Sequence, residues 1–314
     1  MDSTYHIPVL LRESVDFLIT DTNGIYIDGT LGGGGHTAEI LRRLSPDGRL
    51  VSFDADAIAI AHCRERFADE LAKENPRLTL RNENFVLSGE LADIRGAASG
   101  LLLDLGTSSR QLDSASRGIS HRVNARLDMR FGYAGISAEE LLNDAKEDVL
   151  VRIFREYGEE PFAVGITRRI IERRRVFPLR TTNDLRIIIQ EIVPPHLAPR
   201  ALARIFQALR IAVNDELGIL EKTLRNIVPQ LKSGGRIVVI SYHSLEDRIV
   251  KNVFRELSSA ENSNSITILT PKPLVPSAAE TASNPRSRSA KLRVAEKRKQ
   301  TQSLAAGRYR PYAE

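Results

Sequence analysis

Cysteine is nearly absent from this chain. Cys63 is the only one in 314 residues, which excludes an intramolecular disulfide and any metal cluster built from cysteines. Uninterrupted apolar runs are also short, none approaching the ~20 residues needed to cross a bilayer. The opening Met-Asp-Ser-Thr-Tyr-His lacks the basic segment and apolar stretch of a secretory signal. A soluble, cytoplasmic protein with no membrane partner is therefore expected. Internal repeats are lacking too. Hydrophobic residues, at 42%, suffice for a buried core, and the length predicts one large domain with an insertion, or two domains. A net charge of +5 is modest, but its placement is uneven. Arg168, Arg169, Arg173, Arg174 and Arg175 crowd one segment, and nine Lys/Arg face the single acid Glu296 between Arg286 and Arg310. Such blocks suggest a polyanionic partner.

The most informative stretch runs from Gly24 to Thr37. An apolar alternation (Ile25, Ile27) breaks at Asp28-Gly29-Thr30 into four glycines, Gly32 to Gly35, before the helical pattern Thr37 to Leu44. Strand, glycine loop and helix in this order let a nucleotide-like ligand approach the backbone. Further strands are expected at Arg49 to Phe53, Leu78 to Leu80 and Gly100 to Asp104, separated by helices such as Ala57 to Lys73, which indicates parallel βαβ units. The alternation lapses from Ser114 to about Ala203. Helices are expected there at Ala138 to Tyr157, Phe162 to Arg175 and Asn183 to Ile192. A helix from Ala203 to about Leu231, a fifth strand at Arg236 to Ser241 and a closing pair near Ile266 to Thr270 and Ala290 to Ala295 restore the α/β pattern. The expected fold is a doubly wound α/β sheet. Residues 1–113 and 204–314 form its cofactor domain, and 114–203 an inserted helical subdomain.

Ligands of such sheets bind beyond the carboxyl ends of the strands. Asp28, Asp54, Phe85 and Asp104 all fall there, with Asp54 about twenty residues past the glycines, where an acid can accept both ribose hydroxyls. Asp56 reads as a helix cap. An adenosine site results, and both nicotinamide dinucleotide and S-adenosylmethionine fit it. A carboxylate beside the loop, Asp28, would repel a pyrophosphate but could help hold a cationic amino group, which favours S-adenosylmethionine. Asp104-Leu-Gly-Thr-Ser-Ser109 then follows the fourth strand, where amino-directed methyltransferases hold the target base. Acceptors on the N–H bonds of an exocyclic amine favour a pyramidal nitrogen in line with the methyl group. Asp104 could be that acceptor or contact the cofactor. His243, in Ser241-Tyr-His-Ser244, could shuttle a proton or simply bond the backbone.

The chain resembles the bacterial small-subunit ribosomal RNA cytosine-N4 methyltransferase family. The resemblance is carried by His6 to Leu11, Tyr26 to His36, Leu103 to Ser109 with Gln111-Leu-Asp113, Leu127 to Arg130, Tyr157 to Glu160, Phe206 to Ile211 with Val213-Asn214, Ser241 to Arg248, and Asn284 to Arg293. It implies a seven-stranded, mostly parallel class I methyltransferase sheet and methylation of the exocyclic N4 of a cytidine in the decoding region of 16S ribosomal RNA. S-adenosylmethionine would be the donor, and the small subunit or its precursor the partner; a homodimer is compatible with this. The family's cofactor contacts fall on Gly34, Gly35, His36, Asp54, Phe85, Asp104 and Gln111. Asp104, Ser109 and His243 are the candidate catalytic residues. Ile119-Ser-His121 departs from the family pattern, replacing a more aromatic stretch. The competing readings are a dehydrogenase on the same fold and a non-catalytic ribosome-assembly factor.

Overall fold

In a computed structural model that describes residues 8–106, 117–132, 135–259 and 265–298, strands and helices alternate from the start. Helix α1 (Leu11–Leu18) precedes β1 (Ile25–Asp28), α2 (Gly35–Arg43), β2 (Arg49–Phe53), α3 (Ala57–Arg66), α4 (Ala68–Leu71), β3 (Leu78–Arg81) and β4 (Ala98–Asp104). Five helices without strands follow: α5 (Ala138–Asp144), α6 (Glu147–Glu156), α7 (Ala163–Arg174), α8 (Thr182–Ile192) and α9 (Ala198–Asn214). Then come α10 (Glu216–Ile227), β5 (Leu231–Ser241), α11 (Ser244–Ser259), β6 (Ile266–Ile268), α12 (Ala278–Ser283) and β7 (Lys291–Lys297). Among the described residues no helix is long and apolar enough to cross a membrane.

Seven strands form one sheet in the order β3-β2-β1-β4-β5-β7-β6. The first five are mutually parallel, and β7 runs antiparallel to both β5 and β6. The expected closing pair is therefore present. Because side chains alternate across a strand, β4 and β5 supply both faces. Leu101, Leu103, Ile237 and Val239 pack with α10 and α11, while Leu102, Val238 and Ile240 pack with α1 and α2. Burial on both faces explains why these strands read as continuous apolar runs. Each fully buried Leu or Ile contributes about 1.5–3 kcal/mol of transfer free energy.

A third cluster gathers apolar residues from Leu127 to Leu209. Its helices show 3.6-residue periodicity, as in α6, which buries Leu150, Ile153 and Phe154. Two capping boxes start helices here, Ser137 with Glu140 at α5 and Thr181 with Asp184 at α8. The cluster continues past residue 203 because α9 belongs to it through Ile205, Phe206 and Leu209.

Three helices expected to be continuous are broken. Phe67 leaves helical geometry (φ −107°, ψ 22°) between α3 and α4, and Ala145 and Lys146 are extended between α5 and α6. Asp215 adopts a left-handed conformation (φ 47°) between α9 and α10. That last break lets α9 pack in the helical cluster while α10 packs on the sheet.

Candidate active site

A cavity of about 610 Å³ opens beyond the carboxyl ends of β1, β2 and β4, where the strand order reverses. The glycine loop forms one wall. Gly34 sits at φ +76°, and a Cβ there would lie 2.7 Å from Phe67 Cε2, so side chains are excluded by backbone and packing together. Gly35 is equally confined, its missing Cβ falling 2.2 Å from Pro8 Cγ. Gly35 lines the cavity; Gly34 does not, its bare face being turned to Phe67 and Cys63. Burial pushes the Cys63 thiol up to about 12, so this lone cysteine is inert packing.

Asp28 lies behind the loop and is fully buried. Its carboxylate accepts from the Thr30 amide (3.1 Å) and from Thr37 Oγ1 (2.7 Å), and Thr37 in turn meets Ser52 Oγ at 2.9 Å. Asp28 thus ties the loop to α2 and is not among the cavity-lining residues. Its observed place is that of a buttress, so any help it gives in holding a cationic amino group would be indirect.

Asp54 does line the cavity. Oδ2 accepts from the Gly32 amide and Oδ1 from the Asp56 amide, each at 2.8 Å. Burial raises its carboxyl to about 6, against the pull of those two amides. Each oxygen keeps a second lone pair for a ligand hydroxyl. Asp56 caps α3 through the Ile58 amide, as its position predicts, and pairs at 3.0 Å with buried Arg117. Phe85 begins the short 3-10 helix Phe85–Glu90 after β3 and presents a half-buried ring to the same cavity.

Asp104 closes β4. Its amide donates to Thr30 Oγ1 (2.7 Å), and its Oδ1 accepts from the Tyr242 hydroxyl at 2.7 Å. Burial pushes Asp104 up to about 7; the Tyr242 bond opposes this and the nearby Glu246 charge adds to it. Burial, then Asp104 itself, raises Tyr242 well above its ordinary range, so the phenol stays protonated as a donor. His36 is 5% exposed, with Nδ1 3.6 Å from Asp104 Oδ2. Burial lowers its pKa, opposed by the Asp28 charge and by the Val9 backbone.

On the opposite wall His243 caps α11. Its Nδ1 accepts from the Glu246 amide at 3.4 Å, and Glu246 Oε2 accepts from the amides of Tyr242 (2.8 Å) and His243 (3.3 Å). Arg210 forks both oxygens of Glu216 at 2.7 and 2.9 Å. Residues Ile119 to Arg122 also line the cavity, and His121 meets Phe206 edge-on at 5.7 Å.

Gly35, His36, Asp54, Phe85, Asp104 and His243 therefore share one cavity. Ser109 and Gln111 lie outside the described residues. Sequence reasoning passed over Tyr242, Glu246 and Arg210. Tyr242 was adjacent to a flagged histidine, and Glu246 stands three residues after His243 at capping-box spacing, which is the signal that could have found it.

Residues 3–298 match the model of the MraW methylase family. The chain is 44% identical to ribosomal RNA small subunit methyltransferase H of Heliobacterium modesticaldum, over 93% of this chain and 98% of that relative. It is 45% identical to the same-named protein of Geotalea uraniireducens, over 95% of this chain and 100% of the relative. For that of Geotalea daltonii the identity is 46%, over 93% and 98%. With agreement at this level across nearly the whole length, the chain belongs to the MraW methylase family.

Proposed function

We propose that the protein transfers a methyl group from S-adenosylmethionine to the exocyclic N4 of a cytidine in the decoding region of 16S ribosomal RNA, within the small subunit or its precursor. The observation that carries this reading is Asp104, a half-buried strand-end carboxylate bonded to Tyr242 in a cavity whose other end is built by Asp54 and the glycine loop. Family membership and relatives named for small-subunit rRNA methylation support it. Work on ribosomal subunits would place the protein in the cytoplasm.

The residues fit the cofactor: Asp54 can accept ribose hydroxyls, Phe85 can face adenine, and the glycine loop lets the ligand approach the backbone. When bound, S-adenosylmethionine supplies an electrophilic methyl group. Asp104 accepts an N–H bond of the target amine, and ionised it stabilises the positive charge that grows on nitrogen. Tyr242 fixes the carboxylate's orientation, and the Thr30 hydroxyl fixes its backbone. Residues 1–113 and 204–314 form the cofactor domain in this reading, and 114–203 the substrate-recognition insertion. Ala203, Phe206, Gln207 and Arg210 of α9, the helix that carries the chain from the insertion back into the cofactor domain, form a share of the cavity wall. The test is incubation with labelled donor and unmethylated small subunits, followed by mass identification of the nucleoside. Label on N4 of one cytidine is expected; label elsewhere, or none, refutes the assignment.

The arginine cluster is expected to touch RNA through only part of its members. Arg169 is committed to Glu191 and Glu172, and Arg174 donates to the carbonyls of Leu142 and Ala145. Arg175 is exposed beside exposed Val176 and Phe177 (66%) at the end of α7. Arg175→Glu should therefore weaken RNA binding and flatten the plot of log K against log salt by about one phosphate contact, while Arg174→Glu chiefly destabilises the fold. Filter binding across a salt series checks this; an unchanged slope for Arg175→Glu assigns that arginine to a solvated face.

A further inference from the structure

The turn between α7 and α8 holds two large apolar side chains out in water. Val176 is 70% exposed and Phe177 66%, adjacent to each other and ahead of exposed Pro178. A single exposed apolar residue is ordinary, whereas a contiguous pair that the chain itself fixes in place calls for a partner. The turn is anchored on both flanks. The amides of Val176 and Phe177 donate to the Arg173 carbonyl at 3.1 and 3.0 Å, and Arg174 donates to the Leu142 and Ala145 carbonyls, each at 2.8 Å. On the other side Asn143 clamps Leu179, donating to its carbonyl at 2.8 Å and accepting its amide at 3.0 Å, and the Leu179 side chain is buried. Pro178 further narrows the backbone choices of Phe177. The ring is thus displayed on a preorganised turn, and a ligand that lands on it meets little ordering cost.

Charge around the turn selects the ligand. Arg173, Arg175 and Arg180 are exposed in and beside it, whereas Glu172 faces Arg169 at 3.3 Å and Asp184 accepts the Arg180 and Thr181 amides. The surface is therefore basic with an apolar centre. One ring and a valine fall far short of the roughly 800 Å² per partner that a standard protein interface buries. They match one unpaired base, whose face a ring can cover while arginines meet the flanking phosphates. We infer that Phe177 is a stacking platform for an unpaired base of the RNA substrate, outside the cavity, with Arg175 and Arg180 at the adjoining phosphates. The route from the cavity fits this. Ile119 to Arg122 line the cavity, and the chain leaving there is stitched to the foot of the turn. Thr182 Oγ1 donates to the Val123 carbonyl (2.7 Å) and accepts the Ala125 amide (3.1 Å), and the Leu127 amide donates to the Arg180 carbonyl (2.9 Å). Exposed Arg122, Val123 and Arg180 lie along that route. The inference rests on the RNA reading of the substrate and adds to it a second, base-contacting anchor.

The chain contains no tryptophan, so Phe177→Trp installs a single fluorescent reporter at the platform. The full-length variant is titrated with a mixed-sequence RNA of about twelve nucleotides, as a single strand and as a duplex. At equal saturation the single strand should quench the indole and the duplex should leave it nearly unchanged. Phe177→Ala should bind the same single strand about tenfold or more weakly, the scale of one stacked base, with melting temperature and salt slope unchanged because no phosphate contact is lost. Phe177→Leu keeps apolar area without an aromatic face and should lose most of that affinity, whereas Phe177→Tyr should stay within about twofold of the wild type. Equal quenching by strand and duplex, no quenching, or undiminished affinity in Phe177→Ala overturns the inference; so does full affinity in Phe177→Leu, which marks apolar burial without stacking. An indole signal that changes with protein concentration alone means that a second copy covers the turn. A Phe177→Ala loss seen with intact small subunits but not with naked RNA means a ribosomal protein contact. Either of these overturns it too. Methylation separates the two readings: label transferred to small subunits with no effect of the Phe177 variants removes the platform alone, and quenching without any methyl transfer removes the methyl-transfer reading alone.

Discussion

Asp104→Asn should lose methyl transfer by about 100-fold or more and yet be more stable than the wild type at pH 8. The two effects have one cause. Asp104 is a carboxylate held where water cannot solvate it well, its side chain 22% exposed, with its pKa raised to about 7. Between roughly pH 4 and 7 the folded protein keeps a proton on this group that the unfolded chain has released. Wherever the folded state binds more protons, stability falls as pH rises, so ionisation of Asp104 weakens the fold progressively across that window. Asparagine carries no charge at any pH, and its carbonyl can still accept the Tyr242 hydroxyl. The variant should match the wild type near pH 4 and exceed it at pH 8, by on the order of 1–3 kcal/mol after allowance for partial exposure. Urea melts of the cofactor-free protein at both pH values measure the difference. A stability gap independent of pH would remove the electrostatic explanation, and an undiminished rate would remove Asp104 from the chemistry.

The sheet was legible in the sequence because buried parallel strands leave continuous apolar runs between turn signals, as in Gly100 to Asp104 and Arg236 to Ser241. The end groups of those strands were legible for the same reason, since a carboxylate after an apolar run has few places to be. Helix breaks were not. Phe67 and Asp215 stop their helices without glycine or proline, through geometry fixed by tertiary packing that no local signal carries. Asp28 shows a second limit. Position placed it beside the ligand, but which way a strand-end side chain turns depends on partners such as Thr37 and Ser52, which come from two other elements. Tyr242 was missed because its role depends on Asp104, 138 residues away in sequence.

Asp54→Ala should weaken binding of S-adenosylhomocysteine by at least about 100-fold, since hydrogen bonds to a charged acceptor contribute about 1.5–3 kcal/mol each and two ribose hydroxyls are lost. The loop suffers as well, because the Gly32 and Asp56 amides lose their acceptor. Asparagine would not rescue it: one oxygen becomes an N–H group and confronts one of those two amides donor to donor. A pH series separates a ligand role from a loop role. The carboxyl titrates at about 6 in the empty site, and the ionised form offers acceptors alone, so hydroxyl ligands favour it. Wild-type affinity should therefore rise with pH across roughly 5 to 7, as bound ligand draws the proton off. In Asp54→Ala that portion of the rise disappears, while any contribution from Asp104, centred near 7, persists. Calorimetric affinities at intervals from pH 5 to 8 decide it. Equal slopes in the two proteins would falsify the ribose assignment and leave Asp54 as a loop anchor only.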